Sequence, residues 1–280
     1  MAKRYLLVLL FLSAVSVGYG QNKYLINGRV SITEDSISFF QIKTDSIFNS
    51  NQVISVLVLP KNTIDIFNVK FAYSDSALIT TSSFATSNNA VAAINGGFFN
   101  VDEGGAVTYF EDDNIVISRN RNSQLKFGMS DSIINGAVVI KRDFDILIQS
   151  AKSQQFYEDS KEESAVLITG PLLLLNSERV KLPNMKFANV RHPRTCLALG
   201  KKSIYLVTID GRSKKADGMN LHELQDFLLK LGCVDAINLD GGGSTTMWIK
   251  NRGIVNYPSD KKGERLVSNA LLIIRKDNCQ

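Results

Sequence analysis

Asp240 is followed by Gly241, Gly242, Gly243, Ser244 and Thr245, and Asn238 stands two residues before it at the end of an apolar run. In an extended segment, Asn238 and Asp240 leave the same face before three glycines turn the backbone. A strand-end carboxylate, then glycines whose N–H groups can face an anion, then hydroxyls, suits an oxygen-rich, partly anionic ligand. The alternative is a glycine-rich hairpin capped by Asp240, but a hairpin needs one or two glycines and rarely a polar pair leading into it.

Three further stretches share this grammar. The buried run 90–94 ends in Asn95-Gly96-Gly97-Phe98-Phe99, where glycines let a ligand approach backbone and an aromatic ring can wall one side. One of the two phenylalanines is expected in the core. Arg191-His192-Pro193-Arg194-Thr195 precedes an apolar strand and can aim guanidinium forks at a phosphate or carboxylate. The run 203–209 delivers Asp210-Gly211-Arg212, another strand-end carboxylate beside glycine. Convergence of these ends on one cleft is the economical expectation. A serine nucleophile elbow is excluded, since Ser244 lacks Gly-x-Ser-x-Gly spacing and no histidine is placed as its base. A nucleoside-triphosphate loop is excluded because no lysine follows the glycines.

The elements that must position these residues are mostly strands. Runs rich in Ile, Val and Phe at 24–32, 36–42, 53–59 and 63–71 are punctuated by Asn, Asp, Ser and Pro. Residues 73–87 read as a helix, 106–118 as a hairpin around Asp112-Asp113-Asn114, and 124–148 as strands with Asn135-Gly136 as a turn. Residues 150–164 read as a solvated loop or short helix, and Gly170-Pro171 divides the apolar run 165–175. The clearest helix is 220–231, with Leu221, Leu224, Phe227, Leu228 and Leu231 on one stripe, Asn220 and Glu223 as a capping box and Gly232 as its stop. Glu223 therefore has a structural explanation beside a possible role at the substrate. Residues 265–275 form the last strand, interrupted by Ser268 and Asn269.

The chain has 280 residues, 44% of them hydrophobic, with no long polar linker or fixed-period repeat, and reads as one domain over 21–280. Residues 1–20 read as an export signal: Lys3 and Arg4, an apolar run at 5–17 too short to span a bilayer stably, and small residues before Gln21. This implies a periplasmic or extracellular protein with no membrane segment after cleavage. The formal charge of +5 falls to +3 without Lys3 and Arg4 and is too scattered for nucleic acid. Cys196, Cys233 and Cys279 allow at most one intramolecular disulfide. Two histidines and no Cys-x-x-Cys argue against zinc, no cofactor is expected, and calcium stays open because it takes oxygens. The oligomeric state is not legible.

Taken together, Ile-Asn-Gly-Gly-Phe-Phe at 94–99, His-Pro-Arg-Thr at 192–195, Asp-Gly-Arg at 210–212, the Glu223 helix, Asn-Leu-Asp-Gly-Gly-Gly-Ser-Thr at 238–245 and Val-Ser-Asn at 267–269 resemble the phosphodiester glycosidase family across roughly residues 50–275. The resemblance implies an α+β single domain with a large mixed, mainly antiparallel sheet, few helices and a surface cavity lined by these motifs. It also implies hydrolysis of a sugar joined through its anomeric carbon to a phosphodiester, so the expected partner is a phosphodiester-linked saccharide. Cys196 stands where the family leads one to expect a small residue. The chemistry of the residues agrees: a leaving phosphate monoester has a conjugate-acid pKa of about 6 and departs without strong protonation if cations take up its charge. Arg194, helped by Arg191 or His192 and by the 241–244 backbone, is the expected clamp. Asp240 or Asp210 is the expected nucleophile or base, with Glu223 beside them. Asn95 and Asn238 would hold sugar hydroxyls or an N-acetyl group, and Phe98 or Phe99 would pack on a sugar face. The competing expectations are a secreted carbohydrate-binding module and a phosphodiesterase that cuts P–O, which normally wants metal ions.

Overall fold

Every strand pairing in the computed structural model is antiparallel among the described residues, which are 31–32, 37–63, 65–74, 77–120, 132–143 and 145–276. The expected export signal, most of the first expected strand and Cys279 lie outside them. The expected large sheet is present with eight strands, and two five-stranded sheets and a two-stranded ribbon stand beside it. Few helices accompany them, of which Leu221–Lys230 is the longest described. The architecture is α+β.

Three sheets enclose one core. Leu57, Leu197 and Leu206 come from the eight-stranded sheet, Ile94 and Leu271 from the sheet holding Ala90–Asn95, and Phe110, Val138 and Leu167 from the remaining one. The other face of the large sheet is covered by Leu221–Lys230, whose Leu221, Leu224 and Leu228 are fully buried against Ala198 and Val207. The apolar stripe read from the sequence thus faces the sheet. Asn220 and Glu223 complete the capping box, and Gly232, at φ +86°, ends the helix.

On the inner face a polar row crosses the large sheet: Gln41 pairs with Ser55, Ser55 with Thr208 and Thr208 with Thr195. Side chains directly opposite one another share a face. Gln41 donates to Ser55 Oγ at 3.0 Å, and Thr195 Oγ1 donates across the core to Asn95 Oδ1 at 2.7 Å. Thr208 Oγ1 in this row has no protein partner, and it is the Thr195–Asn95 bond that ties two sheets together beneath the glycine motifs.

Several local expectations shift. The helix over 73–87 is confined to Thr81–Ser87, because Thr80 Oγ1 accepts from the Ser83 N–H and sets the start there. Asn135-Gly136 is not a turn: Gly136 opens the strand Gly136–Lys141, and a side chain there would press on Ile237 at 2.7 Å. The last strand splits at Ser268 into Leu266–Val267 and Asn269–Arg275, which join different sheets. The hairpin at 112–114 forms as expected, with Asp113 and Asn114 both left-handed.

Candidate active site

Four of the motifs meet at one end of the large sheet. Because neighbouring strands run antiparallel, the start of Arg194–Gly200 lies beside the ends of Ser203–Ile209 and Cys233–Asn238. Asn95 ends a strand of the second sheet and closes on them. The Asp240 N–H donates to Gly96 O at 3.0 Å, Gly242 N–H to Pro193 O at 2.9 Å, and Asp210 N–H to Val53 O at 2.9 Å. A side chain on Gly96 would displace Asn269, whose Oδ1 lies 1.9 Å from where the added Cβ would sit. That same oxygen accepts the Gly97 N–H at 2.7 Å.

The glycine triplet serves a purpose different from the one its sequence suggests. The N–H groups of Gly242, Ser244 and Thr245 are taken by the carbonyls of Pro193, Gly241 and Gly242, so they do not face outward as an anion cradle. What the missing side chains admit is two guanidinium groups. A Cβ on Gly242 would lie 3.1 Å from Arg212, and one on Gly243 would lie 2.1 Å from Arg265. The triplet is a floor on which two arginines rest beside Asp240. Arg212 holds a left-handed backbone at φ +59°, an uncommon conformation for a residue with a side chain. Arg265 is fixed by Asp260, with Nε 2.7 Å from Oδ2. Arg212 also approaches His192 Nδ1 at 3.5 Å. Burial and the charges of Arg194 and Arg212 lower the His192 pKa, leaving a neutral imidazole at pH 7.

Both aspartates sit here with unusual proton affinity. Burial pushes Asp240 up to about 6, against the opposing pull of the Ser244 hydroxyl, Arg265, the Gly241 N–H and Arg212. Ser244 Oγ acts on that charge by proximity and makes no bond of full hydrogen-bonding geometry. The Asp240 residue as a whole keeps some exposed surface, although its carboxylate is deeply enclosed. Asp210 is 2% exposed and is likewise pushed up by burial to about 6, although Oδ1 accepts from Tyr257 N–H and Asn256 Nδ2, each at 3.1 Å. Asp210 Oδ2, Asn238 Oδ1 and the hydroxyls of Ser244, Thr245 and Thr246 are buried without a protein partner. Each buried oxygen left without a protein partner calls for water or substrate.

Several expected roles do not survive the geometry. Arg194 is 2% exposed, and its guanidinium donates to the carbonyls of Met219, Phe187 and Val190 at 2.7–3.0 Å. It is a tie inside the core, with a pKa pushed down to about 9 by burial and Arg212, and does not reach a substrate phosphate. Arg191 and Glu223 are bound to each other, Nε lying 3.0 Å from both carboxylate oxygens, and Glu223 also accepts the Asn220 N–H. Asn95 spends both ends on Asp240 O, Thr195 Oγ1 and Thr246 N–H, so Asn95 and Thr195 are structural. Asn238 is buried and donates to Gly170 O at 2.9 Å. Phe98 is core, packed edge-on against Phe187, while Phe99 is half-buried. Among the described residues, the motif residues line neither of two surface cavities of about 420 and 300 Å³; the smaller one touches the Asp210 flank through Val53 and Tyr257.

Asp260, Arg265, Asn256 and Tyr257 were not legible as site residues. They lie in the connection between two short strands, and their only signal was that charge and aromatic side chains occur in a stretch otherwise rich in turn residues.

Comparison with known proteins decides the family, because the phosphodiester glycosidase model matches residues 88–274. The chain belongs to the phosphodiester glycosidase family. It is 30% identical over 184 residues to human N-acetylglucosamine-1-phosphodiester alpha-N-acetylglucosaminidase, covering 60% of this chain and 33% of that one. The bovine protein of the same name is 28% identical over 197 residues, covering 65% and 35%. The chain thus spans about a third of the length of these curated relatives. The fold is shared with the zebrafish enzyme's catalytic domain, solved auto-inhibited by its pro-peptide, at a TM-score of 0.67 and 21% identity over 85% of this chain and 82% of that one. A putative exported protein from Burkholderia pseudomallei superposes with a TM-score of 0.53 at 15% identity, over 80% and 74%. Among the described residues no helix is long and apolar enough to cross a membrane.

Proposed function

We propose that this phosphodiester glycosidase is an exported hydrolase that breaks the bond between the anomeric carbon of a sugar and the oxygen of a phosphodiester. The observation that carries the reading is the pair Arg212 and Arg265 resting on Gly242 and Gly243 beside the Asp240 carboxylate. As C1–O breaks, its electron pair moves onto the phosphate, and the diester becomes a monoester with one more negative charge. Two guanidiniums fixed in advance stabilise that charge without reorganising. These two take the place first expected for Arg194.

Water supplies the hydroxyl at C1 and gives its proton to a carboxylate. Asp240, beside the arginines, and Asp210, at the end of a neighbouring strand, share the carboxylate role, one as nucleophile or base and the other supporting it, while Asp260 is engaged with Arg265. Neutral His192 beside Arg212 can accept a hydrogen bond from the substrate or relay the proton. Phe99 replaces Phe98 as the ring available to a sugar face. The relatives' name suggests N-acetylglucosamine as the sugar, and the apolar run at 5–17 supports export.

The test is incubation with N-acetylglucosamine-1-phospho-mannose in oxygen-18 water, with and without EDTA. Label in the released N-acetylglucosamine, unchanged by EDTA, is the expected result. Label in phosphate would make the protein a P–O cleaving phosphodiesterase. No product, with a thermal shift on adding the substrate, would make it a binding module.

A further inference from the structure

The cavity of about 300 Å³ beside Asp210 is lined by three lysines, Lys43, Lys214 and Lys215, together with Gln52, Val53 and Tyr257. None of the three lysines forms an ion pair with a described residue. Tyr257 is 61% exposed and Lys43 Nζ lies 5.7 Å from its ring centroid, so the cavity offers point charges beside an aromatic wall.

The lysine-bearing turn is held in place. Ser213 and Ala216 exchange backbone hydrogen bonds, Asp217 accepts the Asn51 N–H at 2.9 Å, and Gln52 Nε2 donates to Gly218 O at 2.8 Å. One short segment therefore presents Asp210, then Arg212 over the glycine floor, then Lys214 and Lys215 into the cavity. The two sets of cations address different carboxylates: Arg265 and Arg212 act on Asp240, and Lys43 acts on Asp210. In the proposed reaction the arginines meet the phosphate at the cleaved bond, which leaves the lysines for a second anion.

We infer that this cavity is a subsite for a second phosphodiester of the same substrate, with Tyr257 against the intervening sugar, so that the preferred substrate is a saccharide polymer linked by repeated phosphodiesters. This rests on the proposed glycosidase reading. The charges act at the surface, and the preference weakens as salt rises.

Wild type and a Lys214→Ala/Lys215→Ala double variant are compared on N-acetylglucosamine-1-phospho-mannose and on an oligomer containing three such phosphodiesters. Wild type is expected to show the higher kcat/KM on the oligomer. The double variant should lose roughly tenfold there, the size that two exposed charge contacts carry together, and stay within about twofold on the single diester. Equal wild-type rates on the two substrates, or equal losses on both, would overturn the inference. Calorimetric binding of the oligomer at low salt separates the subsite from the chemistry. Weaker binding to the double variant supports the subsite even where turnover is absent, and unchanged binding removes it. Circular dichroism of the double variant checks that its fold is intact.

Discussion

Asn95 Nδ2 donates to the Asp240 carbonyl oxygen at 2.6 Å, joining residues 145 positions apart and clamping the ends of two sheets. The same side chain accepts from Thr195 Oγ1 and from the Thr246 N–H at its other end. Asn95→Ala removes all three bonds inside a fully buried site and leaves their partners unsatisfied. The expected loss is about 3 kcal/mol of folding stability, since each buried group left without a partner carries a desolvation penalty. Urea unfolding measures it. A variant as stable as wild type but unable to bind substrate would return Asn95 to the role of a sugar ligand.

The raised aspartate pKa values make stability and activity move oppositely with pH. The folded state lifts Asp210 from its ordinary 3.8 to about 6, so between those values the folded protein holds a proton that the unfolded chain has released. Burial of this side chain costs nothing below pH 3.8 and its full amount above 6, and stability falls as pH climbs through that window. The full cost is about 3 kcal/mol. Asp210→Asn keeps the Oδ1 acceptor and places its NH2 at the unpartnered Oδ2. It should therefore be more stable than wild type at pH 7.5, indistinguishable at pH 4, and inactive. Unfolding midpoints at both pH values check this. No gain at pH 7.5 would sink the buried-charge account.

Turnover itself should rise with pH below about 6 and flatten at neutrality, because the carboxylates act ionised and the leaving phosphate needs no acid. A pH profile of kcat/KM tests it. A fall above pH 6 would mean that one carboxyl works as a general acid.

Arginine replacements separate the clamp from the core. Arg212→Ala and Arg265→Ala should each lower kcat by about 100-fold or more, as expected for a preorganised group facing developing charge, with little change in unfolding midpoint. Arg194→Ala should instead yield little folded protein, because it exposes three carbonyls to an apolar interior. If Arg194→Ala folds normally and loses only turnover while the other two remain active, the clamp belongs to Arg194 after all.

The strands and the principal helix were legible because their residues repeat with the period of the element, as in Leu221, Leu224 and Leu228. The meeting of the strand ends that carry Asn95, Arg194, Asp210 and Asn238 with Asp240 was also legible, since polar residues beside glycine or proline punctuate strand ends. What the sequence could not show was which polar side chains are consumed by the fold. Arg194 and Arg212 look equally free on paper, yet strand alternation sends Arg194 under the sheet, while a left-handed backbone aims Arg212 over Gly242. Arg265 was hidden for the opposite reason. Its position over Gly243 depends on a long connection folding back, and no local pattern records that.

Glu223 offers the cleanest separation of structure from chemistry. Its carboxylate caps Leu221–Lys230 and grips Arg191, whose Nη2 donates both to Glu223 Oε1 and to Phe48 O, the latter at 2.9 Å. The Glu223 side chain is 14% exposed and that of Arg191 33%, so the pair gains modestly from being partly shielded. Glu223→Ala should cost about 1–2 kcal/mol through the lost cap and ion pair. It should leave kcat within about twofold, because Arg191 and Glu223 contact each other rather than Asp240 or Arg212, a magnitude far below that of removing a group facing developing charge. Glu223→Gln keeps the acceptor for the Asn220 N–H and should recover the capping part of the loss. Parallel denaturation and steady-state kinetics on both variants decide the matter: a collapse of kcat in Glu223→Gln with an unchanged unfolding midpoint would place Glu223 among the reacting groups.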